Sequence, residues 1–292
     1  GLAHERERPL RILTSEIEHA CVRDTVDALA EGGLAEKLEL PVGEDGRPVF
    51  DNAPEADLLC LMLANNETGV IQDVAAARAW KERTGGQWLC DATQAVGKIP
   101  VSARELGADF LLLSGHKFHA PPGVGALLGP GVTRLPAQST GGPQENEHRA
   151  GTQPVPLIRA MLFALEIARE EMETRAEHLR KLEAAFLDRL DEPGLAYQIN
   201  GGGERLPGFL NASFSGAEAA DTCIALDQFG LQVSPGSACS TGVVAVSPVL
   251  AAMFPADAER AAGGVRISFG KDNTPEEVQQ LADGLVRLFG KR

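Results

Sequence analysis

No apolar run in this chain approaches the roughly eighteen residues that a membrane-spanning helix needs. Basic residues are in short supply. Against 41 Asp and Glu there are 27 Lys and Arg, a net charge of −14. That balance argues against nucleic acid or an anionic membrane as the main partner. The five cysteines (Cys21, Cys60, Cys90, Cys223 and Cys239) form no CxxC pair and no zinc-ligand spacing. Internal repeats and low-complexity tracts are missing. The opening residues GLAHERERPL lack the apolar core of a signal peptide, so a cytoplasmic location is the expectation. What is present is ordinary for a globular protein, 43% hydrophobic and 23% charged. A length of 292 residues suits one large or two modest domains.

Strand-like runs alternate with helical ones along the first half. Residues 11–17 (RILTSEI) predict a strand running to Glu18-His19, and 21–30 predict a helix stopped by Gly-Gly. A strand at 38–41 precedes a GEDG turn. The continuous apolar run 57–63 has the character of a buried parallel strand and ends in ANNETG. A helix over 74–83 leads to strands at 87–90 and 109–113, with room for a short helical turn at 102–107. After PPG, a small-residue strand is expected at 124–128. It is followed by the Gly-rich loop GGPQENEHRAGTQ (141–153), whose backbone N–H groups suit anions only as a weak signal. Residues 154–190 predict helix, one long or bent, with Leu179, Leu182, Phe186 and Leu190 on one face. Composition resets after Asp191-Glu192-Pro193-Gly194. Strands at 209–214 and 265–269 with helices at 219–229, 247–253 and 275–289 indicate a small α+β domain. The last helix carries a Thr274 cap, Pro275 and two acidic residues in its first turn.

The stretch 87–119 organises the rest. Parallel strands joined by a right-handed crossover put their carboxyl ends on one edge of the sheet, where open α/β sheets bind ligands. Asp91 and Lys117 then face one crevice, and His19 and Asn66 come from other strand ends. A lysine amine and a carboxylate so placed suit pyridoxal 5'-phosphate (PLP), which bonds to the amine and needs a protonated ring nitrogen. For an isolated pair, a helix cap and a surface lysine remain the ordinary reading. Of the cysteines, Cys60 and Cys90 lie in buried strands and Cys223 in a helix, all as inert thiols. Cys21, at a helix start, could be either. Cys239 sits in SPGSACSTG, a loop too small and flexible to pack much, which favours a reactive thiol.

Several stretches together resemble the NifS/IscS-type cysteine desulfurases, in the class V aminotransferase group of fold type I PLP-dependent enzymes. They are SEIEHACV (15–22), NNETGV (65–70), DATQAVGKIPV (91–101), LSGHKFHAPPGVGAL (113–127), RAGT (149–152), GFLNASF (208–214), GSACSTG (236–242) and VRISFGKDNTPEEV (265–278). The resemblance implies an α/β fold: a mostly parallel sheet flanked by helices in a large domain, plus a small C-terminal α+β domain. The expected partition is a PLP-binding large domain at 1–153, a connecting helix at 154–190 and a small domain with the catalytic cysteine loop at 191–292.

Position by position, the resemblance implies that Lys117 holds PLP and moves the Cα proton. Asp91 would pair with the ring nitrogen and Gln94 with the ring oxygen. His19 would stack on the ring, and Asn66 would lie near ring oxygen and substrate. Ser114 and His116 would touch the phosphate, as would Thr152 from the partner subunit of a homodimer. Arg266 would clamp the substrate carboxylate. Cys239 would take sulfur from L-cysteine as a persulfide, leaving alanine, and pass it to an acceptor protein for iron–sulfur clusters or thio-cofactors. Without the resemblance, His19 could be a helix-start residue and Asn66 could stabilise its turn.

Family members normally begin with a further segment of the small domain and a phosphate-binding Gly/Ala-Thr-Glu loop at a helix N-terminus. Residues 1–10 hold no equivalent, so an N-terminally incomplete large domain is expected. Pro143, Asn146 and Glu147 also stand where the family tends to have Gly and Arg. The alternatives are a relative acting on another amino acid (a selenocysteine lyase or class V aminotransferase) and a catalytically silent homologue that binds a sulfur-transfer partner.

Overall fold

The computed structural model describes residues 8–191, 195–236 and 246–290. They divide into two compact units. The first runs to Pro41 and adds Pro48–Ala64 and Gln72–Glu170; the second joins Val42–Arg47 and Asn65–Ile71 to the chain from Glu171 onward.

Among the described residues, the first unit carries a six-stranded sheet. Its strands are β1 (Leu10–Thr14), β2 (Ala35–Glu39), β3 (Leu58–Cys60), β4 (Gln87–Asp91), β5 (Phe110–Ser114) and β6 (Gly125–Leu128). They lie in the order β2-β1-β3-β4-β5-β6, parallel except where β6 pairs antiparallel with β5. Parallel neighbours need crossovers, and α1 (Ala20–Glu31), α2 (Val74–Thr84) and α3 (Ala103–Leu106) supply them. Leu10, Ile12, Val22, Val26, Leu58 and Phe110 share one core cluster. Trp80 and Trp88 are fully buried, their indole N–H groups donating to the carbonyls of Pro54 (2.9 Å) and Leu61 (3.2 Å).

β3 is shorter than its apolar run because regular pairing stops at Cys60. The extended backbone continues, with Leu61 and Leu63 N–H donating to the carbonyls of Leu89 and Asp91. β1 ends early for a different reason: at Ser15 the chain turns, Glu18 N–H donating to the Ser15 carbonyl. β2 begins three residues before the expected strand, since AEKLE is a polar edge segment without an apolar signal.

Residues 154–190 form two helices, α4 (Val155–Glu170) and α5 (Met172–Leu190), not one. Glu171 between them has φ −92° and ψ 0°. The division between units falls there, so α4 belongs to the first and α5 to the second.

In the second unit, β7 (Tyr197–Ile199), β8 (Phe209–Phe214) and β9 (Gly264–Ser268) form an antiparallel sheet in that order. α5 and α9 (Pro275–Phe289) contribute Leu182, Phe186, Leu190, Val278, Leu281 and Leu285 to its core. The shorter helices α6 (Ala219–Asp227), α7 (Pro248–Met253) and α8 (Ala258–Ala262) complete the unit. α9 starts with a capping box: Thr274 Oγ1 accepts from Glu277 N–H, and Glu277 Oε2 accepts from Thr274 N–H. Among the described residues no helix is long and apolar enough to cross a membrane.

Phe186 is fully buried and meets Phe269 edge-on, ring centroids 5.6 Å apart. Phe186→Ala is expected to lower unfolding stability by about 3–5 kcal/mol, through lost apolar burial and an unfilled cavity. Guanidinium denaturation followed by circular dichroism measures it, and a loss below about 1 kcal/mol would contradict this packing.

Candidate active site

β4 and β5 are neighbours in parallel register, with Asp91 opposite Leu112. Asp91 ends β4, and β5 runs only to Ser114 before the single 3-10 turn Gly115–Phe118 that holds Lys117. Carboxylate and amine therefore sit at adjacent strand ends on one edge. Asp91 is buried, and its Oδ1 accepts from Thr93 N–H at 2.9 Å. Lys117 is exposed.

The turn carrying Lys117 is packed tightly from two sides. A Cβ on Gly115 would lie 3.1 Å from both Met161 of α4 and Ala120. A Cβ on Gly97, whose φ is +81°, would lie 2.8 Å from Phe118. Glycine at 97 lets the loop after β4 lie directly on the Lys117 turn. His119 closes that turn in the left-handed region, φ +71°. Ser114 Oγ and His116 Nδ1 are 2.8 Å apart.

His19 caps α1, its Nδ1 accepting from Cys21 N–H at 3.2 Å. That acceptor role places the imidazole proton on Nε2. The negative charge of Asp91 acts on both Glu18 and Cys21, on either side of His19, so this helix start and the end of β4 are electrostatic neighbours.

Glu18 is the residue here that sequence reasoning missed. It is fully buried; Oε1 accepts from Met62 N–H at 2.7 Å, while Oε2 is buried without a hydrogen-bond partner among the described residues. Burial pushes its carboxyl up to about 8, against the opposing Met62 hydrogen bond, and the Asp91 charge adds to the rise. Burial thus shifts Glu18 towards its neutral form. Lys98 was also missed. Its Nζ donates to the carbonyls of Gln94 (2.9 Å) and Lys117 (3.2 Å). A charged residue beside a glycine in a turn gives no local hint of such a role.

The second unit holds Asn66 and Arg266. The NNETG turn is stabilised by Asn65, whose Oδ1 accepts from the N–H groups of Glu67 (2.8 Å) and Thr68 (2.9 Å). Asn66 instead offers its carbonyl to Arg266 Nη1 at 3.2 Å, and Arg266 Nη2 donates to Ser234 Oγ at 3.4 Å. Arg266 and Ser234 also exchange backbone hydrogen bonds, at 2.7 and 3.1 Å. Among the described residues Arg266 has no carboxylate partner, which leaves a half-buried guanidinium with capacity for an anion.

Thr152 lies in the exposed loop before α4. Upstream, Glu145, Asn146 and Glu147 all occupy the left-handed region, at φ 51°, 54° and 68°. Cys239 lies outside the described residues. The other four thiols are all pushed up, with burial the largest cause, so none is primed as a nucleophile.

Residues 2–281 match the family model described as aminotransferase class-V. A cysteine desulfurase of Gluconacetobacter diazotrophicus is 36% identical over 289 residues, 96% of this chain and 71% of that relative. Cysteine desulfurase IscS of Neisseria meningitidis is 38% identical over 289 residues, 96% of this chain and 70% of that relative. A solved structure described as a NifS-like protein superposes with a TM-score of 0.87 at 31% identity, over 98% of this chain and 76% of that one.

Glu18 supplies a pH test. Its folded value of about 8 lies above the ordinary 4.5, so the folded state holds the proton more tightly than the unfolded chain. The stability it contributes is complete below about pH 4.5 and is lost as pH rises towards 8. Glu18→Gln, which needs no proton, should gain on the unsubstituted chain by on the order of 1 kcal/mol per pH unit across that window. Urea unfolding at several pH values reads the difference, and a constant difference would refute the buried neutral acid.

Proposed function

The chain belongs to the aminotransferase class-V family, and we propose that it is a PLP-dependent cysteine desulfurase that converts L-cysteine to L-alanine and an enzyme-bound persulfide. One observation carries the reading: similarity to cysteine desulfurases runs along 96% of the chain, in a fold that sets Asp91 and Lys117 at neighbouring strand ends.

The residues present fit the cofactor. Asp91 is a buried carboxylate positioned to keep a ring nitrogen protonated, and Lys117 is an accessible primary amine at the adjacent strand end. Ser114, His116 and Thr152 offer donors to a phosphate, and Gln94 an amide to the ring oxygen. PLP, when bound, supplies an electron sink that stabilises negative charge at the substrate α-carbon.

Lys117 would hold the cofactor, and its amine would move the proton of the substrate α-carbon. His19, whose Nδ1 is taken by Cys21 N–H, would lie against the cofactor ring and could pass a proton through Nε2. Glu18, whose burial favours the neutral acid, would add little negative charge beside Asp91, the carboxylate that would pair with the ring nitrogen. Arg266 receives the substrate carboxylate as a fork, with its guanidinium held by Asn66 and Ser234.

Cys239 follows Ser234 by five residues. Its thiolate bonds to the substrate sulfur as the substrate Cβ–S bond breaks. The electron pair of that bond goes to Cβ, which takes a proton, and alanine leaves. The persulfide passes its outer sulfur to an acceptor protein serving iron–sulfur cluster or thio-cofactor assembly. In this reading the first unit binds the cofactor and the second carries the sulfur-accepting loop. A homodimer places Thr152 at the partner's site.

The test is sulfide and alanine release from L-cysteine with PLP and a thiol reductant. Equal amounts are expected, with turnover abolished by Lys117→Ala and by Cys239→Ala. Arg266→Ala should raise KM about 10–100-fold, the loss of a charged hydrogen-bonding fork. Alanine production that survives Cys239→Ala would move the reading towards a different class V reaction.

A further inference from the structure

We propose that Lys98 is a positioning residue that fastens Gln94 and the Lys117 turn into one unit for the cofactor. The inference deepens the desulfurase reading and rests on it.

Lys98 Nζ lies 2.9 Å from the Gln94 carbonyl, 3.5 Å from Gln94 Oε1 and 3.2 Å from the Lys117 carbonyl. Three acceptors thus converge on one ammonium from two segments, the loop after β4 and the turn after β5. An ammonium has three N–H donors, and each acceptor here can take one. Gln94 is the side chain assigned to the ring oxygen, and Lys117 the one that bonds the cofactor. Lys98 holds both while touching neither reacting atom.

Local packing shows why the anchor is a lysine at this position. Gly97, φ +81°, lets the loop approach Phe118 closely, and Lys98 is the next residue, within reach of the Lys117 carbonyl. Burial pushes the Lys98 ammonium down to about 8, and the charge of Lys117 is the second cause, so the two amines are close enough to act on each other. A lysine placed only for solubility would extend into water, whereas this one gives up part of its hydration to reach backbone carbonyls.

Lys98→Met keeps the stem and removes the donors, and Lys98→Arg restores charge and donors. Each variant, with the unsubstituted chain, would be titrated with PLP and followed by the visible absorbance of the lysine-bound cofactor. Melting temperature and amide hydrogen exchange of the cofactor-free chain would be recorded alongside. Lys98→Met should bind about tenfold more weakly, the scale of losing a charged hydrogen bond. Its loaded fraction should absorb at a shifted wavelength, and amides 115–120 should exchange faster. Lys98→Arg should return the band towards its original position. A Lys98→Met protein whose loaded fraction keeps the original band overturns the inference, whatever its melting temperature. If the unsubstituted chain takes up no cofactor, the desulfurase reading falls and this inference falls with it. A loaded unsubstituted chain beside an indistinguishable Lys98→Met variant overturns this inference alone.

Discussion

Parallel pairing of β4 with β5 is the constraint on which the site depends. Two strands running the same way, joined by a crossover through α3, must finish on the same edge, and their last residues meet there whatever the loops do. Asp91 at one end and the Lys117 turn at the other follow from that geometry. The sheet order then adds β3 and β1 on the far side of β4, and β1 delivers Glu18 and His19. A single backbone pattern thus sets out carboxylate, amine and imidazole before any side-chain interaction is counted.

Charge around that edge is arranged by burial. Glu18 is buried more deeply than Asp91, and desolvation, with the Asp91 charge adding to it, raises the Glu18 carboxyl and favours its neutral form. On the amine side, the Lys98 ammonium donates to the carbonyls of Gln94 and Lys117. In the second unit Arg266 is managed in the same way. Neutral acceptors, the Asn66 carbonyl and the Ser234 hydroxyl, orient its guanidinium without consuming its charge.

Much of this was legible in the sequence because strong local signals carry it. β8 and α9 match their expected spans, the first on an unbroken strand-forming run and the second on a complete set of capping residues. Asp91, Lys117 and His19 were readable as polar residues closing apolar runs. The break at Glu171 was not, since glutamate is an ordinary helix former and the interruption depends on which unit each helix packs with. β7 escaped because three residues, YQI, carry no alternation to detect. Asn66 lies in the second unit, where its carbonyl accepts from Arg266 across a 200-residue separation that no local pattern encodes. Lys98 and Glu18 were missed for a common reason: each is hydrogen-bonded to backbone elsewhere in the chain, the Lys117 carbonyl for Lys98 and the Met62 N–H for Glu18, and in sequence both look like surface charges.

The central claim is that the edge formed by β4 and β5 holds PLP through Lys117. Loading the chain with PLP, reducing with borohydride and mapping the labelled peptide by mass spectrometry tests it most directly. The account predicts one pyridoxyl group per chain, on Lys117, and its disappearance in Asp91→Ala. A label on Lys98, labels scattered over surface lysines, or full labelling of Lys117 in Asp91→Ala would contradict it.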